Sequence, residues 1–95
     1  MIKLAIITVT HNSSSVINEF LQALLEQDYI HWQLYLVDSA SSDDTLLEVA
    51  KYADPRIKLL ANQSNIGFAA GNNLGIGQAI ADGYVEMTAE EFINK

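Results

Sequence analysis

An open α/β/α domain, a mostly parallel sheet of about four strands between two helical layers, is the fold that this sequence predicts. Three observations carry the prediction. Apolar runs of strand length alternate with longer stretches of helical periodicity, each of the first three runs stops at a cluster rich in Ser, Asn and Asp, and no linker, repeat or low-complexity tract interrupts the alternation. A chain of 95 residues is long enough for one such domain, although at that size only about 60 to 65% of the unfolded surface is buried.

The elements follow in order. Leu4-Ala5-Ile6-Ile7-Thr8-Val9 is continuously apolar apart from one Thr, as a strand covered on both faces should be. Val16, Phe20 and Leu24 fall at i, i+4 and i+8 beside Ile17, Leu21 and Leu25, which gives a helix one broad apolar face, with the serines at 13 to 15 available as caps. Leu34-Tyr35-Leu36-Val37 is the second strand. A second helix is expected to start at Ser41 or Ser42, where Ser41-x-x-Asp44 resembles a capping box, and to end by Asp54-Pro55. Ile57-Lys58-Leu59-Leu60 is the third strand, and a third helix over Phe68 to Ala81 is rich enough in Ala and Gly to lie close to a sheet. Gly83-Tyr84-Val85-Glu86-Met87 is a short candidate fourth strand, and residues 88–95 read as a short C-terminal helix or tail.

Composition excludes several classes. Twelve acids oppose five Lys and Arg, for a formal charge of −7, and cations so few and scattered cannot form the stripe that docks a nucleic-acid backbone. No nucleic-acid partner is expected. The absence of cysteine removes disulfides, zinc-thiolate sites and thiol nucleophiles, and makes a cytoplasmic setting the default. No stretch approaches the roughly 20 apolar residues of a membrane span.

In open parallel sheets ligands bind beyond the carboxyl ends of the strands, so the polar clusters there are the candidate site. They are Thr10-His11-Asn12-Ser13, then Val37-Asp38-Ser39-Ala40-Ser41-Ser42-Asp43-Asp44-Thr45, then Asn65-x-Gly67-Phe68-Ala69-Ala70-Gly71-Asn72-Asn73-x-Gly75. Together they resemble the nucleotide-sugar-binding half of family 2 glycosyltransferases, most closely the rhamnosyltransferase-like branch. The resemblance covers nearly residues 1 to 85. It implies a Rossmann-like, truncated GT-A fold in which residues 1–87 form the nucleotide-sugar-binding half-domain.

The resemblance also implies roles. Thr10, His11 and Asn12 would pack around the nucleoside, with the His11 ring where that family usually has Tyr. Asp38 would contact the base or ribose, and Gly67, Gly71 and Asn72 would lie close to the nucleotide. Plainer readings stand beside these: Asn12 and Ser13 as a helix cap, Asp38 as a loop cap, Asp43 as an acid at a helix N-terminus, and the glycines as packing sites. The family usually has Gly where Ala40 stands, so a turn needing positive φ would be strained or formed differently here. Many members have Arg where Asn72 stands, so one cation is missing.

The chain stops where the family normally supplies its Asp-x-Asp, the motif that holds Mg²⁺ or Mn²⁺ across the sugar diphosphate. Glu90 and Glu91 fall near that place but read better as the first turn of a helix, so the resemblance assigns this chain no metal site and no catalytic residue. The expectation is therefore half of an inverting hexosyl-transfer enzyme, with its donor site weakened. The alternative from another class is a non-catalytic nucleotide-binding or self-associating module. An uncovered sheet edge or helix flank favours a homo-oligomer in either case.

Overall fold

The computed structural model describes residues 4–84 and the backbone of residues 92–94. Four parallel strands form one sheet in the order β3-β2-β1-β4: β1 Leu4–Thr10, β2 Trp32–Ser39, β3 Ile57–Asn62 and β4 Phe92–Asn94. Three helices connect them, α1 Ile17–Leu25, α2 Thr45–Val49 and α3 Gly67–Ala81. The chain steps outward from β1 to β3 and then crosses back past β1 to β4, and this reversal is the switch that opens a crevice at the carboxyl edge of such a sheet.

Alternation along β1 and β2 builds both layers at once. Ile6, Leu34 and Leu36 face one side with Ile17 and Leu21 of α1 and Val49 of α2. Ala5, Ile7 and Tyr35 face the other side, against Ala79 of α3. At nine residues α1 is shorter than the roughly 12 to 15 that an isolated helix needs even marginally. It is held by burial of Ile17 and Leu21, worth about 1.5 to 3 kcal/mol each. The apolar face is narrower than expected from the sequence, because Val16 precedes the helix and stays exposed.

α3 packs differently. It carries no charged residue, and it touches the sheet through glycine: a Cβ on Gly75 would lie 2.6 Å from Ile7 Cγ2, and one on Gly71 would lie 2.9 Å from Val9 Cγ1. The fully buried Tyr35 passes its hydroxyl through to Asp82, 2.8 Å away at the end of α3, where Lys58 also donates at 3.2 Å. Burial, and then the bond to Asp82, push the Tyr35 phenol up from its ordinary range.

Three expectations change. The serines at 13 to 15 do not cap α1, whose start has no side-chain cap; the backbone carbonyl of Ser13 instead receives the Val16 and Ile17 N–H groups. The second helix begins at Thr45 rather than Ser41 or Ser42, because Asp38 captures Ser41 before it can cap anything. The segment read as a helix or tail contains β4, a parallel strand opposite Ala5, Ile6 and Ile7. β1 has an open edge to fill, and Phe-Ile-Asn is a better strand than helix sequence. In the candidate strand 83–87, Gly83 lies in the turn after α3 with φ +110°, and residues 85–87 fall outside the described residues.

The glycine contacts give a paired test. Gly75→Ala must push a Cβ into Ile7 and should cost about 1 to 3 kcal/mol. Gly77→Ala, in the same helix but facing open space, should gain about 0.5 to 1 kcal/mol. Urea midpoints of the two variants measure both signs against the parent chain.

Candidate functional site

The carboxyl edge is organised around Asp38. It has no exposed surface, yet both its oxygens are in use: Oδ1 accepts from Thr10 Oγ1 at 2.7 Å and Ser41 Oγ at 2.6 Å, and Oδ2 accepts from the Ser41 N–H at 3.0 Å. Pairing of Thr10 opposite Asp38 in the β1/β2 register puts the hydroxyl and the carboxylate on the same face. A buried charge tolerates its loss of water only when donors replace that water. Asp38 therefore acts on its neighbours from within the fold, and Thr10, itself buried, is its donor.

A second set of bonds clasps the β1 turn to the loop after β2. Asn12 has φ +50°, a region Asn tolerates better than most residues, and its Oδ1 accepts from the N–H groups of Ser42 at 2.8 Å and Asp43 at 3.2 Å. Its own N–H donates to Ser41 Oγ. In return Ser13 N–H donates to Thr45 Oγ1 and Ser14 N–H donates to Asp43 Oδ2. Asp43 Oδ1 accepts from both the Thr45 N–H and its hydroxyl. These bonds, led by the Thr45 hydroxyl and reinforced by Ser14, hold the Asp43 carboxyl well below the usual carboxylate range against a smaller opposing effect of desolvation. Ala40 takes the positive φ, +52°, expected of a position where the family has Gly, at a cost of about 1 to 2 kcal/mol for an L-residue.

The third loop is tied in through Ser39. Its hydroxyl donates to Asn65 Oδ1 at 2.9 Å and accepts from the Ile66 N–H at 2.8 Å, while Asn65 Oδ1 also accepts from the Gly67 N–H. Gly67 has φ +79°, which explains glycine there without a ligand. Gly71 sits on Val9, and Asn72, 7% exposed, has a buried Oδ1 without a donor among the described residues. Of the seven residues singled out from sequence, His11, Asn12 and Gly67 are thus exposed at the edge, whereas Thr10, Asp38, Gly71 and Asn72 are buried beneath it.

Sequence reasoning passed over Ser39, Ser41 and Asn65 as individual contributors. The only signal for them was position inside the polar clusters. Their partners lie 26 to 29 residues away or across a turn, at spacings that no local pattern predicts.

Lys51, Arg56 and Lys58 pair with Glu48, Asp54 and Asp82. Among the described residues no three His, Asp or Glu side chains converge as metal ligands would. Asp38 and Asp43 already give their oxygens to protein donors, so the described residues do not fit a divalent ion. Glu90 and Glu91 lie outside the described residues. A cavity of about 330 Å³ opens at the amino edge between α1 and β1, lined by Leu4, Ile6, Phe20, Leu24, Tyr29 and Trp32, far from these polar loops. Among the described residues no helix is long and apolar enough to cross a membrane.

An open parallel α/β sheet with its polar loops gathered at the carboxyl edge defines a class of fold that takes ligands there. The sequence profile of Glycosyl transferase family 2 matches residues 5–88, and the chain belongs to that family. It is 35% identical over 75 residues to the Escherichia coli UDP-Glc:alpha-D-GlcNAc-diphosphoundecaprenol beta-1,3-glucosyltransferase WfgD, covering 79% of this chain and 30% of that protein. Among solved structures it is similar to Staphylococcus aureus TarS in complex with UDP-GlcNAc (TM-score 0.75, 31% identity, 81% of this chain and 23% of that one). It is also similar to the Pyrobaculum calidifontis mannosyltransferase PcManGT in complex with GDP-Man and Mn2+ (TM-score 0.74, 28% identity, 80% and 24%). The α/β, GT-A-type fold expected from the sequence is the fold of these enzymes. The chain spans about 30% of the length of WfgD.

Asp43 sets an acid dependence. Its folded carboxyl titrates below the unfolded one, so the unfolded state binds the extra proton and the contribution to stability is complete above the unfolded value near about pH 4. It is lost as pH falls from there towards the depressed folded value. Asp43→Asn should lower the urea midpoint at neutral pH and flatten its decline between about pH 4 and pH 2, as paired denaturation curves at neutral and acid pH will read.

Proposed function

We propose that residues 1–87 are the nucleotide-sugar-binding half-domain of an inverting glycosyltransferase in polysaccharide biosynthesis. The observation that carries this reading is the likeness to TarS with UDP-GlcNAc bound, which extends over 81% of this chain. The geometry supports it through His11, Asn12 and Gly67, which stand exposed where three loops meet beyond the strand ends. In such an enzyme a carboxylate deprotonates the acceptor hydroxyl that attacks the anomeric carbon. A divalent metal, as in the Mn2+ complex of PcManGT, neutralises the departing diphosphate. Neither a base nor a metal set is assigned to this chain.

What this chain's own residues do is bind and orient. Thr10, Asp38 and Ser41 fix the edge from within, and Asn12 and Asp43 hold two loops at a constant separation, so that a nucleoside meets a preformed surface. The described Lys and Arg side chains are all engaged by carboxylates, so the diphosphate gains little from them and affinity rests on the nucleoside. The reading keeps the cytoplasmic setting expected from the sequence.

UDP in the presence of Mg²⁺ should therefore shift the amide resonances of residues 10–13, 39–42 and 65–68, with a Kd of about millimolar order, equivalent to about −4 kcal/mol. His11→Ala should weaken the response and, through the lost bond to the Ser39 carbonyl, lower stability by only about 1 kcal/mol, leaving the chain folded. Unmoved amides at several millimolar UDP would count against the reading and favour a module without nucleotide.

The expected homo-oligomer remains a proposal; α3 leaves Phe68, Leu74 and Ile80 exposed at separate places around its axis, on a helix without charge. Sedimentation velocity at rising concentration should show a dimer or larger species; a strictly monomeric profile at high concentration removes this part of the proposal.

A further inference from the structure

His11 is exposed at the meeting point of the three loops, and the groups on either side of its ring determine where its proton sits. The argument begins with Asn12. Its Oδ1 accepts from the Ser42 N–H at 2.8 Å, the Asp43 N–H at 3.2 Å and the Ser42 hydroxyl at 3.3 Å. Backbone N–H groups can only donate, so this end of the amide must be the oxygen. The other end, the NH₂ group, is then fixed, and it lies 3.4 Å from His11 Nε2. Because an amide NH₂ also only donates, Nε2 must present its lone pair.

On the far side of the ring, His11 Nδ1 lies 2.5 Å from the backbone carbonyl oxygen of Ser39. A carbonyl oxygen only accepts, so Nδ1 carries the proton. The carbonyl at the end of β2 assigns the tautomer, and the longer approach of the Asn12 amide agrees with it. The carbonyl is itself held in place: Ser39 pairs with Asn62 at the end of the β2/β3 ladder, and its hydroxyl is bonded to both Asn65 and Ile66.

We propose that His11 is a specificity-determining residue, locked as the Nδ1–H tautomer, which offers a lone pair at Nε2 to an N–H or O–H donor of a nucleoside. The proposal rests on the nucleotide-sugar reading above and adds the sign of the hydrogen bond. A phosphate oxygen, which only accepts, gains nothing from an unprotonated Nε2. An imide N–H of a pyrimidine base or a ribose hydroxyl does. At 3.4 Å the contact with Asn12 is longer than a well-formed bond, so a ligand donor at about 2.9 Å replaces it favourably.

The test is long-range ¹H–¹⁵N correlation on the ¹⁵N-histidine-labelled full chain at about pH 8, above the ordinary imidazole range, with His31→Gln assigning the two rings. In the free protein His11 should show a protonated-type Nδ1 and an unprotonated-type Nε2; the opposite tautomer, or an equal mixture, overturns the lock. Uridine should then move the Nε2 signal and leave Nδ1 in place, whereas inorganic diphosphate should move neither. Loss of the Nε2 response with 3-methyluridine assigns the donor to the imide, and loss with 2′,3′-dideoxyuridine assigns it to the ribose. Diphosphate driving Nε2 into the protonated range overturns the proposal.

Asn12→Asp supplies an independent arm. The aspartate keeps an acceptor for the Ser42 and Asp43 amides but turns an oxygen towards Nε2, so on lowering the pH the Nε2 signal should reach the protonated range earlier than in the parent chain, and the uridine response should fall with it. The same Nε2 pH dependence in that variant as in the parent chain overturns the assigned cause. If uridine and UDP move no resonance anywhere, the nucleotide reading fails and the ligand assignment fails with it. The tautomer measured in the free protein stands or falls separately.

Discussion

The buried carboxylate of Asp38 is the constraint on which the carboxyl edge depends. An ion without exposed surface is tolerated because Thr10 and Ser41 supply three donors to it. Those donors come from the end of β1 and from the loop beyond β2, so satisfying one charge fixes the relative position of two elements. Replacing any one donor by an apolar group would leave a partly unsolvated charge, a penalty of several kcal/mol in principle. The same requirement draws Ser41 away from the helix it could have started and delays α2 to Thr45.

Around that centre the loops are joined by short polar side chains acting on backbone N–H groups. Asn12, Asp43, Ser39 and Asn65 each accept from a backbone amide or fix a residue that does, and each link crosses between segments or braces a turn. Such links cost little side-chain entropy, because Ser, Asn and Asp have few rotamers to lose. They also leave the edge rigid before any ligand arrives, which is what preorganised recognition requires. The positive φ of Ala40 and the buried Oδ1 of Asn72, without a donor among the described residues, are the costly features of this edge.

The opposite face is governed by close approach. Gly71 and Gly75 let α3 rest on Val9 and Ile7, and Tyr35 reaches Asp82 through the layer so formed. This brings the start of α3, with Gly67 exposed, beside the His11 and Asn12 turn. Fold and candidate site are therefore joined through the same few residues: the glycines that read as ligand contacts in the sequence place the helix whose first turn completes the edge. The described Lys and Arg side chains are paired with Glu48, Asp54 and Asp82.

The sequence by itself determined the first three strands, the layers and the edge of the sheet at which the polar clusters gather. Apolar runs such as Leu4–Val9 and Leu34–Val37 can satisfy burial on both faces only inside a covered parallel sheet, and polar clusters at their ends can lie only beyond the strands. It also fixed the family, through motifs that stay recognisable one residue at a time. What it could not determine was which residue of a cluster faces outward. Asp38 and His11 stand in equally polar strings, yet one is buried and the other exposed, because burial follows from register across β1 and β2 and from donors 28 or more residues away in the chain. The segment 88–95 read as helix or tail for a related reason: Phe92–Asn94 becomes a strand by pairing with the open edge of β1, and a three-residue run does not show in sequence which distant edge it will join. The tertiary structure alone decided these points, since a hydrogen bond depends on where two groups meet and not on which residues surround them in order.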